Sequence, residues 1–245
     1  MDPSACVVLV PVASRVEPDC EAALRELERL GHPVRRVYGY AAVDVARNQM
    51  ATDALADGFD ELLWVDADIA FDPADVARLR SHGAPVVAGV YPKKGKRELA
   101  CSFLPGTREV VLGTGGGLVE VRYVGLGFCL TRRGAYEAVG RHHQLPVCNQ
   151  RFGRPLVPYF APLAADDGGG WWYLAEDYAF CHRARQAGVP ILADTAVRLW
   201  HLGSYPYTWE DAGRPREEFQ TFVYHLGPDG SEPRAGGTRL AGEKG

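Results

Sequence analysis

No stretch of this 245-residue sequence approaches the roughly 20 consecutive apolar residues that a membrane-spanning helix needs, and its first residues do not run basic and then apolar as a signal peptide does. These absences predict a cytoplasmic protein with no membrane span. The six cysteines include no Cys-x-x-Cys pair. Cys6, Cys20, Cys101, Cys129, Cys148 and Cys181 are too scattered for a disulfide framework or a zinc site, and are expected to be reduced, mostly buried thiols. Excess charge is missing too. A net charge of -4 offers no broad attraction to nucleic acid or to an anionic membrane. No internal repeat is visible.

What is present is ordinary globular material. Hydrophobic residues make up 47% and charged residues 24%, enough to build a full core, with disorder expected only at the ends. Lys93, Lys94, Lys96 and Arg97 form a local basic cluster, read as a solvated loop with a phosphate contact as the sharper alternative.

The first half alternates apolar runs with helical periodicity. Strands are predicted at 6–12, 34–38, 61–65 and 85–90, and helices at 17–30, 45–56 (Asp44 as N-cap) and 73–81. Such alternation argues a doubly wound, mostly parallel sheet with ligands at the carboxyl ends of its strands. In the second half, 110–112 and 118–124 flank Gly113-Thr114-Gly115-Gly116-Gly117. This reads as a hairpin with a flexible turn rather than a phosphate cradle, because no helix follows the glycines. Strands are expected at 128–130, 189–192 and 197–200, helices at 133–139 and 176–187, a long surface loop at 145–170 and a disordered tail at 227–245.

The most informative segment is Glu61-Leu62-Leu63-Trp64-Val65-Asp66-Ala67-Asp68, where an apolar strand delivers two carboxylates, one residue apart, to its end. On extended backbone, acids at i and i+2 point the same way, which suits a hard divalent cation shared with a nucleotide diphosphate. The plainer alternative makes Asp66 and Asp68 solvated turn residues ahead of Asp72-Pro73. Three further features join them. Glu176-Asp177 opens a helix after Trp171-Trp172-Tyr173, where a helix dipole favours an acid and the aromatics form a wall. His201 ends an apolar run and is a metal ligand or a structural histidine. Arg47-Asn48, near the start of the second helix, pairs a guanidinium able to clamp a phosphate with an amide, or is an ordinary surface pair.

In order and spacing, Asp66-Ala67-Asp68, Gly125-Leu126-Gly127-Phe128, Glu176-Asp177 and His201 resemble the GT-A class of nucleotide-sugar-dependent glycosyltransferases over 7–203. The resemblance implies a Rossmann-like α/β domain over 1–226, with a nucleotide-binding half (about 1–100), an acceptor half (about 101–226) and a smaller acceptor-side sheet. It also implies a UDP-sugar donor on Mn2+ or Mg2+, an acceptor it does not identify, and metal contacts from Asp66, Asp68 and His201. Asp66, Arg47, Asn48 and Gly127 would lie against the donor, with Asp177, neighboured by Glu176, as the base for an acceptor hydroxyl.

Two other classes share parts of this pattern. Haloacid-dehalogenase-type phosphatases also carry Asp-x-Asp after a strand, and Asp166-Asp167 imitates their late acidic pair. Ile69 after the second Asp, and the long block before it, depart from their pattern. A non-catalytic nucleotide-sugar binding module would have no need of both acidic motifs and His201.

Overall fold

The computed structural model describes residues 1–94, 98–166, 169–203 and 220–227. Lys96, Arg97, Asp167, Tyr205, Tyr207, Trp209 and the expected tail from 228 onward lie outside the described residues. The chain runs β1 (Cys6–Val12), α1 (Pro18–Arg29), β2 (Val34–Tyr38), α2 (Val43–Ala56), β3 (Glu61–Val65), β4 (Ile69–Ala70), α3 (Ala74–Ser81) and β5 (Val86–Gly89). It continues through β6 (Cys101–Phe103), β7 (Glu109–Gly113), β8 (Leu118–Val124), β9 (Phe128–Arg132) and α4 (Arg133–His143). The remaining elements are β10 (Leu163–Asp166), β11 (Trp171–Leu174), α5 (Glu176–Gln186), β12 (Leu192–Asp194), β13 (Trp200–His201) and β14 (Thr221–His225).

Eight strands form one sheet in the order β2-β1-β3-β9-β5-β12-β8-β6. β9 runs antiparallel to β3 and β5, and β8 antiparallel to β12 and β6, while β1 is parallel to β2 and β3, and β5 to β12. The other six strands therefore share one direction, and the sheet is mostly parallel with two reversed members. β6, β8, β9 and β12 come from the later half of the chain, so both halves build one sheet.

Burial on both faces explains why β1 and β3 are continuous apolar runs rather than alternating ones. Val7, Leu9, Leu62 and Trp64 turn to one face, against Met50, Ala51 and Ala54 of α2, Tyr136 of α4 and Phe180 of α5. Val8, Val10, Leu63 and Val65 turn to the other, against Leu24 and Leu27 of α1 and Val76 and Leu79 of α3. Among the described residues, no helix is long and apolar enough to cross a membrane. All six cysteines are free thiols, and all but the half-buried Cys148 are buried.

The structure corrects four sequence expectations. β7 and β8 flank the glycine loop but do not pair, because β8 already has β12 and β6 on its two edges and β7 pairs with β14. The loop instead wraps Thr195: Gly113 N–H donates to the Thr195 carbonyl (2.8 Å) and Gly117 N–H to Thr195 Oγ1 (2.9 Å), so these amides do not face a phosphate. The 145–170 segment is not loop throughout. It contains β10, which pairs with β11 in a hairpin separate from the large sheet. The late strands also start further on: one at Leu192, because Val189 N–H still closes the end of α5 by donating to the Ala184 carbonyl (2.9 Å), the other at Trp200, where pairing with β4 begins.

Candidate active site

The site grows from the end of β3. Asp66 N–H donates to the Gly127 carbonyl (2.9 Å), and Ile69 N–H returns to the Asp66 carbonyl (3.0 Å), closing a turn over 66–69. The two acids therefore occupy a turn, not extended backbone, and the reason is this i to i+3 hydrogen bond. They still face one cavity. Short β4 emerges from the turn and pairs antiparallel with β13, setting His201 opposite Ile69, while Leu202 N–H donates to the Asp68 carbonyl (2.7 Å). That small ladder brings a histidine 133 positions away beside Asp68.

His201 Nδ1 lies 2.7 Å from the Pro92 carbonyl, which can only accept, so Nδ1 carries the hydrogen and Nε2 is directed at Asp68. His201 Nε2 is 3.7 Å from Asp68 Oδ2, and Lys94 Nζ is 2.5 Å from the same oxygen. Desolvation works against the Asp68 carboxylate, but His201 and Lys94 outweigh it and hold its pKa down at about 2.

Asp66 has a different partner. Arg47 Nη2 donates to Asp66 Oδ1 (2.7 Å), and Arg47 Nε lies 3.5 Å from Glu176 Oε1. The Arg47 side chain is 2% exposed and sits 5.4 Å from the Trp64 ring centre. Its guanidinium thus ties the end of β3 to the head of α5, a bracing position rather than the open phosphate clamp or surface pair read from sequence. Asn48 also turns inward. Its Oδ1 accepts from Phe160 N–H (2.7 Å) and anchors the loop before β10, away from the cavity. Gly127 lies under the site: a Cβ there would meet Tyr91 Oη at 2.7 Å and Asp66 Oδ2 at 3.1 Å.

Two cavities meet at Lys94 and His201. One, of about 420 Å³, lies at the carboxyl ends of β1 and β3 and is lined by Ser14, Tyr40, Arg47, Asp66, Asp68 and Glu176 as well as the shared pair. The other, of about 380 Å³, is lined by Tyr91, Trp172, Tyr173, Tyr178 and Asp177. The adjacent acids at the head of α5 are thus divided between the two, Glu176 to the polar cavity and Asp177 to the aromatic one. Desolvation, followed by repulsion from Glu176, pushes the Asp177 carboxyl up to about 7. Tyr91, whose hydroxyl accepts from Gly127 N–H (3.0 Å) and whose ring meets His201 edge-on, carries no sequence signal beyond its place just after β5.

Among the described residues, no group of three or more His, Cys, Asp or Glu side chains converges as a metal cluster. Asp68 and His201 do converge. One carboxylate and one imidazole, with the remaining positions left to phosphate oxygens and water, suit a divalent ion that arrives with a nucleotide.

No protein-family model matches the chain, and no curated protein sequence does. Among solved structures it is similar to A197 from STIV, at a TM-score of 0.52 and 19% identity over 81% of this chain and 86% of that one. That similarity is one of fold. Looser superpositions, too weak to carry an argument, are found with a glycosyltransferase involved in glycosylation of the major capsid of PBCV-1 and with the inositol-1-phosphate CTP transferase from T. maritima. The first has a TM-score of 0.32 and 10% identity, over 54% of this chain and 62% of that one. The second has a TM-score of 0.33 and 13% identity, over 80% and 69%.

Proposed function

We propose that the protein is a glycosyltransferase of the GT-A type, moving a sugar from a nucleoside-diphosphate sugar, with UDP as the expected nucleotide, to an acceptor hydroxyl. The observation that carries this reading is the division of the site. A polar cavity at the strand ends, which holds Asp68, and an aromatic cavity holding a carboxyl poised near neutrality meet at His201 and Lys94. Ligands of doubly wound sheets lie at the strand ends, where the polar cavity is. Its lining has four carboxylates, Glu17, Asp66, Asp68 and Glu176, against three fixed cations, Arg15, Arg47 and Lys94. A diphosphate therefore needs an added cation there. Asp68 and His201 are the residues that would hold Mn2+ or Mg2+, which would neutralise the charge growing on the departing diphosphate.

In an inverting transfer the acceptor oxygen attacks the anomeric carbon, the bond to the diphosphate breaks with its electron pair, and the hydroxyl proton passes to a base. Asp177 fits that last role. Its raised pKa makes it a better proton acceptor than an ordinary aspartate, and Trp172 and Tyr173 offer faces for an acceptor ring. Glu176 supports Arg47 on the donor side.

The test is ligand-dependent stability. UDP with Mn2+ is expected to raise the melting temperature, and EDTA is expected to abolish the shift, because a ligand that binds only the native state stabilises it by mass action. A UDP shift that survives EDTA would remove the metal from the reading. No shift with any nucleoside diphosphate would remove the donor.

A further inference from the structure

We propose that Lys94 is a two-position residue: without ligand its ammonium holds the Asp68 carboxylate, and when a divalent ion takes Asp68 the ammonium passes to the donor's diphosphate. The proposal rests on the donor reading above and deepens it.

Each cation lining the polar cavity is paired, but not equivalently. Arg15 lies 3.0 Å from Glu17 at the rim, and Arg47 is buried between Asp66 and Glu176. Among the described residues, only Lys94 of the three shares its carboxylate oxygen with a second nitrogen, His201 Nε2. With His201 Nε2 beside it, the Lys94 ammonium occupies the carboxylate oxygen that a divalent ion held by Asp68 and His201 would need. The ammonium and the divalent ion therefore compete for Asp68 Oδ2.

The lysine is also built to remain nearby once displaced. Its stem lies along Gly203, where a Cβ would meet Lys94 Cδ at 3.2 Å and Cε at 3.3 Å, so a side chain at 203 would crowd it. It lines both cavities, and its four-carbon stem lets the ammonium turn from Asp68 to a phosphate oxygen without backbone movement. Neighbouring Lys93 does not compete for this role, since it pairs with Glu98 at 3.2 Å and lines the aromatic cavity but not the polar one.

The experiment compares the parent with Lys94→Met, which keeps the stem and removes the charge, and Lys94→Arg, which keeps a cation. Calorimetry with Mn2+ alone, in the absence of nucleotide, is expected to show Lys94→Met binding severalfold tighter, up to about five-fold, the scale of an exposed ion pair. Titration of UDP at saturating Mn2+ is expected to show the same variant binding about ten-fold weaker, as for a lost charge-assisted hydrogen bond. Lys94→Arg is expected to stay near the parent in both. If the parent binds UDP with Mn2+ and Lys94→Met matches it in either titration, the exchange is overturned and the donor reading stands. A parent that binds neither probe overturns both.

Discussion

Replacing Asp177 with Asn is expected to lower sugar transfer by roughly 10²-fold or more while leaving affinity for UDP and Mn2+ at the parental level. Asn keeps the size and the short contact to Tyr178 N–H (2.7 Å), but it cannot take a proton. Glu176→Gln is the comparison. Because Glu176 lines the polar cavity and pairs with Arg47, its loss is expected to appear in donor affinity rather than in the transfer step. The pH profile adds a second readout. With the folded pKa raised to about 7, the base is mostly protonated below neutrality, so the parent's rate should rise with pH and level off above about 7.

The same shift fixes the sign of a stability effect. The folded state holds a proton on Asp177 that the unfolded chain has released above its ordinary value of about 4, so the parent loses stability as pH rises from about 4 to about 7. Asp177→Asn removes that dependence and is expected to melt no lower than the parent above pH 7. A near-parental transfer rate in the Asn variant would remove Asp177 from the chemistry.

Arg47→Met is expected to give the largest loss of stability of any single change at the site. Breaking a buried ion pair by deleting one partner costs about 3–5 kcal/mol, because the abandoned charge stays desolvated. Asp66 and Glu176 keep some contact with solvent, at 30% and 16% side-chain exposure, so the lower end of that range applies. Urea denaturation measures it. A loss under about 1 kcal/mol would mean that solvent already satisfies the two carboxylates and that Arg47 does not brace β3 to α5.

Much of the fold was legible in the sequence because local patterns carried it. The apolar runs of β1 and β3, the glycines ending α1 and α2, and the Glu176-Asp177 start of α5 each lie within a short window. What escaped depended on distant partners. β6 is three residues long and exists because β8 offers it an edge; nothing in Cys101–Phe103 alone marks a strand, and the strand expected at 197–200 is displaced to Trp200–His201 because β4 pairs with it there. β10 was hidden by its short length and by the surrounding prolines and glycines.

The site divides along the same line. That Asp66, Asp68, Glu176, Asp177 and His201 share one site was expected from the resemblance to the GT-A class, and the structure brings them around two adjoining cavities. Their pairing was not legible. Arg47 could be read as a surface residue because the periodicity of α2 is weak, yet it is buried by contacts from β3 and α5. Asn48 looked like its partner in binding but turns to the loop before β10, since adjacent helical residues point about 100° apart. Lys94 was hidden inside a basic run, in which Lys93 pairs with Glu98 and Lys94 with Asp68.

The most direct test is turnover. The protein is incubated with UDP-, GDP- and TDP-sugars in the presence of Mn2+, and release of nucleoside diphosphate is followed by chromatography. The account predicts that at least one donor, with UDP-sugars foremost, releases its diphosphate and that EDTA stops it. Phosphate freed from simple monoesters with every nucleotide sugar left intact, or tight donor binding with no release under any condition, would contradict it.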